Sequence, residues 1–462
     1  MNLFSARRAR RERSPYESSF YPQITHLVIP IILQNLLNAA VSSADVVMLN
    51  YVGQSSLSAV SLASQYANIL QMVFYGIGSG ATMLCAQYYG KGDRRAIEIV
   101  EGIALRFSML TALVFAACAA LIPQLMMRLF TNDPELISIG VSYLRFISVS
   151  YLCWSISEVY LSILRSTSQV AMSTALNMLA FLLNVLLNAV FIFGLCGAPK
   201  LGAMGVAIAT SISRLVQLIA CLIVSASGKF IRLDFRFLFR KSKLLFQDFL
   251  QMSVPALAND VIWSVAFSMY SVIIGHMGSD AVAANAIVVV VRNFGTTLSF
   301  GFASAGGLLL GQVIGKNNLE EAEVYARKLV WLTVITGLIG GVVILIASPF
   351  ILTNVSLTEQ ARYYLKYMLF INSYYVMGQA VNTTLICGVF RAGGDSRFGF
   401  ICDTIDMWCY AVPLGFLAAF IFKLPFLWVY FLLCTDEFVK WPWVIAQYRK
   451  KLWLKNITRD NV

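Results

Sequence analysis

The sequence predicts an all-α integral membrane protein, with twelve transmembrane helices in two six-helix lobes related by an internal repeat. Three observations predict it. Long apolar runs, continuous rather than alternating, succeed one another along the chain. Basic residues collect on one side of the spans those runs define. The second half of the chain repeats the first.

The apolar runs identify the solvent. Of 462 residues, 58% are hydrophobic and 13% charged, with a mean hydropathy of +0.73. A soluble domain carries about 25% charged residues, and a single soluble core stops growing at about 250–300 residues. A bilayer accepts this much apolar surface in helical spans of about 20 residues each. Continuous runs favour helices over the alternating strands of a barrel. The expected spans are 24–50, 56–89, 96–122, 136–163, 170–196, 202–225, 246–276, 280–314, 322–350, 360–387, 397–422 and 425–447. Several exceed the hydrocarbon thickness and are expected to tilt or to reach into the headgroups. The polar start, MNLFSARRARRERSPYESSF, lacks the apolar core of a signal peptide, so the first span is expected to direct insertion.

The net charge of +12 is distributed as a membrane protein distributes it. Arg7, Arg8, Arg10, Arg11 and Arg13 precede the first span; Lys91, Arg94 and Arg95 follow the second. Lys229, Arg232, Arg236, Arg240, Lys241 and Lys243 lie between the sixth and seventh, and Arg449, Lys450, Lys451, Lys455 and Arg459 end the chain. With an even number of spans between them, all fall on one side. The opposite loops, YVGQSS, CGAPKLG and HMGSD, are nearly bare. The positive-inside rule then places both termini in the cytoplasm, and no basic groove for nucleic acid is implied. The nine cysteines sit in apolar runs without a CxxC or Cys/His cluster and read as small packing residues; His26 and His276 are the only histidines, which disfavours histidine-based catalysis.

The repeat fixes the organisation. A shift of 225 residues carries Pro30 onto Pro255, Gly53 onto Gly278, Asn68 onto Asn293 and Gly76 onto Gly301. It also carries Gln87, Gly90 and Lys91 onto Gln312, Gly315 and Lys316, and a shift of 226 carries Arg165 onto Arg391. Six helices per half is an even number, so both halves insert the same way round. Parallel repeats of this kind occur in secondary transporters, with the substrate path between them. The expected division is a cytoplasmic tail at 1–20, an N-lobe at 21–226, a basic cytoplasmic linker at 227–245, a C-lobe at 246–448 and a cytoplasmic tail at 449–462.

Polar residues inside the spans are the functional candidates. An aspartate at the bilayer centre costs about 2.5–3.5 kcal/mol, so Asp45, within the first span, needs a cation, a proton or polar partners there; the alternative is an interface-level aspartate capping a helix end. Asn184 and Asn188, four apart on the fifth span, share a helix face, and Thr210 on the sixth offers another oxygen. Asp260 on the seventh span, with Asp403 and Asp406 on the eleventh, is a candidate C-lobe cation or substrate site; the alternative is solvated carboxylates near the span ends. Glu158 is a further candidate intramembrane carboxylate, the alternative being a position outside the hydrocarbon. Pro30 and Pro255 remove backbone hydrogen bonds in matching helices and are expected to bend them. Arg165 and Arg391 read as cytoplasmic anchors. The fragment GKGDRRA lacks the rest of a phosphate loop, so ATP is not the expected energy source.

Taken together, IPIILQNLLNAAVSSADVVMLNYVG, AQYYGKGDRRA, LRSTSQVAMSTALNMLAFLLNVLLNAVFIFG, MGVAIAT, VPALANDVIW, GSDAVAANA and RAGGDSRF resemble, in that order and spacing, the multidrug and toxic compound extrusion (MATE) family. The resemblance covers nearly the whole chain. It implies a V-shaped pair of lobes, no enzymatic activity, no cofactor, and export of drugs or organic cations by antiport with H⁺ or Na⁺. It also implies alternating access between the lobes; separately, the protein is expected to work as a monomer in the lipid bilayer of the cell membrane. Asp45, Asn184, Asn188 and Thr210 correspond to the family's N-lobe cation site, with Na⁺ at Asp45 as the one metal in question. Family members commonly have aspartate where this chain has Asn188, which leaves the coupling ion open between H⁺ and Na⁺. Rival readings are an exporter of a dedicated metabolite or lipid-linked precursor, and a channel or receptor.

Overall fold

The computed structural model of the protein describes residues 15–460 except Asp234, Lys241 and Ser356. The arginines before Pro15 lie outside the described residues, and so do several side chains of the first helix, that of Asp45 among them.

The described chain is helical throughout, with no strand. The helices are α1 (Pro15–Asn50), α2 (Gln54–Lys91), α3 (Arg94–Leu121), α4 (Pro134–Ser166), α5 (Val170–Phe193) and α6 (Gly202–Ala226). The second half holds α7 (Lys243–Gly275), α8 (Ser279–Gly315), α9 (Leu319–Asn354), α10 (Glu359–Thr383), α11 (Ser396–Ile421) and α12, which is broken into Phe426–Leu433, Asp436–Val439 and Trp441–Arg449. Each expected span after the first coincides with one of these to within about four residues; the first helix begins at Pro15, nine residues before the expected start of its span at 24. Among the described residues nine helices are long and apolar enough to cross a membrane. Those not counted are α1, which is described only in part, α10, diluted by Arg362, Lys366 and its polar face, and α12, whose breaks carry Asp436, Glu437 and Lys440.

The repeat is visible in the helix ends. Asp93 caps α3 by accepting from the Ala96 amide at 3.0 Å, and its repeat mate Asn318 caps α9 by accepting from Glu321 at 3.3 Å. Asp133 accepts from the Glu135 amide at the start of α4, and Thr358, 225 residues on, accepts from Ala361 at the start of α10. Different side chains thus satisfy exposed first-turn amides at matching helix starts. Gly53 and Gly278, at φ of 133° and 121°, open α2 and α8 in a conformation that favours glycine.

The repeat shift changes from 225 at Asp133/Thr358 to 226 at Arg165/Arg391, so the second half has gained one residue between them. In that interval α10 continues beyond Thr383 as a π-turn over Thr384–Phe390, where α4 runs as an uninterrupted α-helix. An i→i+5 turn absorbs one extra residue while the helix keeps its direction. Just past it, Ser168 and Gly394 again match in the left-handed region, at φ of 63° and 81°.

The chain forms two compact units: Leu33–Leu257 with the residues from Arg459 onward, and the residues up to Ile32 with Ala258–Thr458. Both boundaries fall inside helices, two residues after Pro30 in α1 and two after Pro255 in α7. The first unit's core joins α2, α4 and α6 through Tyr66, Phe74, Tyr143, Tyr151 and Val206. The start of α7 belongs to it: Phe107 of α3 stacks on Phe246 and Phe249, and Gly76 of α2 leaves room for Leu257, whose Cβ a side chain at 76 would meet at 2.5 Å. The second unit's core joins α8, α10 and α12 through Val288, Leu369, Tyr375 and Tyr430. The start of α1 belongs there, with Phe20 edge-on to Tyr325 of α9 at 5.0 Å. The apolar side chains left exposed, such as Leu113, Val149, Leu186 and Ile223 in one unit and Val290, Ile346 and Phe350 in the other, form the surface a bilayer would cover.

Candidate functional site

In the first unit a polar seam runs between α5 and α6. Residues 177, 184 and 188 recur on one face of α5, and all three asparagines are buried. Asn184 Nδ2 donates to Thr210 Oγ1 at 3.1 Å, and Asn188 Nδ2 donates to Asn184 Oδ1 at 3.3 Å. The structure therefore brings together three of the four residues named for the N-lobe site; the fourth, Asp45, lies on α1 with its side chain outside the described residues. Two turns along, Gln217 Nε2 donates to Asn177 Oδ1 at 2.9 Å and receives Arg214 Nη1 on its own oxygen at 3.0 Å. The Arg214 guanidinium lies 4.5 Å from the Trp154 ring centre, a cation–π contact. Thr174 of α5 reaches Gln34 of α1 at 3.5 Å. Glu158 pairs with Arg165 on α4 at 3.2 Å.

In the second unit the three carboxylates named together separate into two groups. Asp260 of α7 pairs with Arg391 at 2.8 Å. Arg391 is thus no free anchor: its side chain is 11% exposed and committed to a carboxylate. Asp403 and Asp406 are not solvated span-end carboxylates either, being 4% and 5% exposed. They face Lys440 of α12, whose Nζ lies 3.2 Å from Asp403 Oδ1, 3.6 Å from Asp406 Oδ2 and 3.1 Å from Glu437 Oε2. Asp436 completes the group, accepting from the Tyr270 hydroxyl of α7 at 3.0 Å and from the Glu437 amide at 2.8 Å. Asn382 of α10 donates to Glu437 Oε2 at 2.7 Å. Asp406 itself lies in a π-turn of α11, Ile405–Ala411.

Pro30 and Pro255 both lie inside helices, α1 and α7. Sequence reasoning passed over Asp436, Glu437 and Lys440. The signal was there, since three charged residues fell inside the expected span 425–447, where each is costly without a partner.

Comparison with known proteins decides the family. One family model, MatE, matches the chain twice, over residues 30–190 and 255–417. The chain belongs to the MatE family. The two matches begin at the repeat-related prolines, so the duplication read from the sequence is the family's own duplication. It is 26% identical over 422 residues to the "Probable multidrug resistance protein YoeA" of Bacillus subtilis, covering 89% of this chain and 90% of that one. It is 23% identical to "Multidrug and toxin extrusion protein 1" of Xenopus tropicalis, over 88% of this chain and 70% of that one. Among solved structures it is similar to the Vibrio cholerae MATE transporter VcmN in the bent form, with a TM-score of 0.84 at 16% identity, covering 94% of this chain and 99% of that chain. A MOP superfamily transporter from Pyrococcus furiosus gives a TM-score of 0.83 at 17% identity, covering 93% and 95%. At these identities the structural likeness is one of fold. The MatE chain is a multi-pass membrane transporter and not an enzyme.

Proposed function

We propose that this MatE transporter exports drugs and other small organic, often cationic, compounds across the cell membrane by antiport with H⁺ or Na⁺, alternating access between its two lobes. The observation that carries the ion-coupling part is the buried set Asn184, Asn188 and Thr210, joined by hydrogen bonds on α5 and α6, in a chain whose first span carries Asp45. One carboxylate with several neutral oxygens suits Na⁺, because hard cations take oxygen ligands; it equally suits a proton on Asp45. The names of the relatives, multidrug resistance and toxin extrusion proteins, support the substrate class. The basic clusters support a cytoplasmic position for both termini and the 227–245 linker, and the protein acts as a monomer needing no cofactor beyond the coupling ion.

The test is transport of a fluorescent organic cation in proteoliposomes, with Na⁺ and H⁺ gradients imposed separately. Uptake driven by one gradient and abolished by its collapse is the expected result. Movement indifferent to both gradients would sink the antiport reading and favour a channel.

A further inference from the structure

The acidic group of the second unit has no part in the export reading, yet its charges demand one. Asp403, Asp406, Asp436 and Glu437 are four carboxylates around the Lys440 ammonium, with the Arg292 guanidinium of α8 a further cation facing Asp436 and Arg391 already matched by Asp260, so full ionisation would leave a net charge of −2 (two positive, four negative) in a buried site. Isolated buried charge is among the costliest features a fold can carry. Carboxylates packed together avoid it by sharing protons.

A second observation points at where a proton sits. Asp406 is 5% exposed, and neither of its oxygens accepts a hydrogen bond among the described residues. Its approach to Lys440, 3.6 Å, is too long for one. An ionised carboxylate in that position has no donor for four lone pairs, whereas a protonated one needs far fewer. A metal ion is not what the group is arranged around. Lys440 Nζ already occupies the point where Asp403, Asp406 and Glu437 converge, and no set of three His, Cys, Asp or Glu side chains among the described residues is placed to hold a metal.

The repeat gives the group its meaning. A shift of 225 carries Asp45 of α1 onto Tyr270 of α7; a shift of 226 carries Pro199 onto Pro425 and Thr210 of α6 onto Asp436 of α12. In the first half the carboxylate stands on the first helix and a hydroxyl on the sixth. In the second half the hydroxyl stands on the first helix of the repeat and the carboxylate on the sixth, hydrogen-bonded at 3.0 Å. The shift of 226 likewise carries Asn177 onto Asp403 and Arg214 onto Lys440.

We propose that the C-terminal half carries its own proton-binding site, at Asp406 and Asp436, with Lys440 as a fixed internal cation in the place a coupling ion would take. A proton leaves a carboxyl of this group for water and returns from it; nothing else is exchanged. The groups facing Asp436 from other helices are Tyr270 on α7, Arg292 on α8, and Tyr374 and Tyr375 on α10, while Asp403 faces Asp406 from one turn away on α11. On α12 itself stand Glu437, Lys440, Tyr430 and Cys434. The use of the site in transport rests on the export reading above; its existence does not.

Infrared spectroscopy of the purified full-length protein in lipid, titrated through neutral pH, tests the site without any transport assay. The wild type should show a carboxylic-acid carbonyl band at neutral pH. Asp406→Asn and Asp436→Asn should each remove part of it, and Asp45→Asn should leave that part in place. Tyr270→Phe, which keeps the packing and removes one donor, should shift the pH at which the band titrates. Replacing choline by Na⁺ at fixed pH should leave the band unchanged. Wild-type band intensity in both asparagine variants, or an unmoved titration in Tyr270→Phe, would overturn the proposal, and loss of the band on adding Na⁺ would replace the proton by an alkali cation. Export that ignores pH in a protein retaining the band would remove proton coupling and leave the site standing.

Discussion

Arg391, just past the π-turn that prolongs α10, donates to the Asp260 carboxylate of α7 across 2.8 Å. The two residues are 131 apart in the chain, and the pair ties α7 to the segment that follows α10. A carboxylate that reads from the sequence as a free ligand is committed to an arginine, and that commitment has a measurable cost if it is broken.

Asp260→Asn strands an arginine that is 11% exposed. Breaking a buried pair from one side costs about 3–5 kcal/mol; Asp260 is 35% exposed, and solvent screening lowers the expected loss to about 2 kcal/mol. The melting temperature in lipid should fall accordingly. The double variant Asp260→Asn/Arg391→Met should recover part of the loss, because no unpaired charge remains. A single variant as stable as the wild type would show that the pair contributes nothing and would free Asp260 for an ion-binding role.

Asp45→Asn should abolish ion-driven export while expression and elution as a single folded species stay near normal, since the carboxylate exchanges an ion rather than packing a core. Efflux at the wild-type rate from a well-folded variant would take Asp45 out of the mechanism.

Asn188→Asp restores the carboxylate common in the family. The native amide donates to Asn184 Oδ1 from a fully buried position, and an ionised carboxylate can only accept. The new carboxyl must keep a proton, or force Asn184 to turn so that its Nδ2 donates to the carboxylate and its Oδ1 accepts from the Thr210 hydroxyl. Either way the group and Asp45 titrate as a coupled pair, and the pH profile of transport at fixed Na⁺ should move towards higher pH. Superimposable profiles for wild type and variant would mean that position 188 does not face Asp45.

Cysteines introduced in the 227–243 linker and in either terminal tail should resist impermeant thiol reagents in intact cells and react once the cells are opened. Ready labelling of the linker from outside would invert the topology drawn from the basic clusters.

The C-terminal tail should come loose in acid. Arg459 makes two 2.7 Å bonds to Asp248, its amide donates to the Tyr88 hydroxyl at 3.1 Å, and Lys91 Nζ donates to Asp460 Oδ1 at 2.6 Å. The Lys91 hydrogen bond holds the Asp460 carboxyl below the ordinary carboxylate range. A lowered value means that this contact stabilises the docked tail above a pH of about 4 and is lost as the pH falls through the lowered value. Protease cleavage near residue 459 should therefore be slow at neutral pH and faster in strong acid, and Lys91→Ala should raise the neutral rate. Equal rates at both pH values would show that the Asp460 contact does not hold the tail.

The sequence by itself determined the number of helices, their order and the duplication. Apolar length and the tally of charges between spans are local quantities, and the bilayer imposes both directly. A spacing of four also put Asn184 and Asn188 on one face of α5, whereas their meeting with Thr210 of α6 was implied only by the family resemblance. The one-residue step from 225 to 226 was legible too, but that it is absorbed as a π-turn in α10 depended on the backbone hydrogen bonds. Only the tertiary structure decided that Asp260 belongs to Arg391, and that Asp403 and Asp406 share Lys440 with Asp436 and Glu437. The physical reason lies in the solvent. A helix surrounded by lipid is apolar nearly all round and carries little amphipathic signal, so its sequence does not say how it is rotated about its axis. That rotation, set by packing against its neighbours, selects which buried charge meets which.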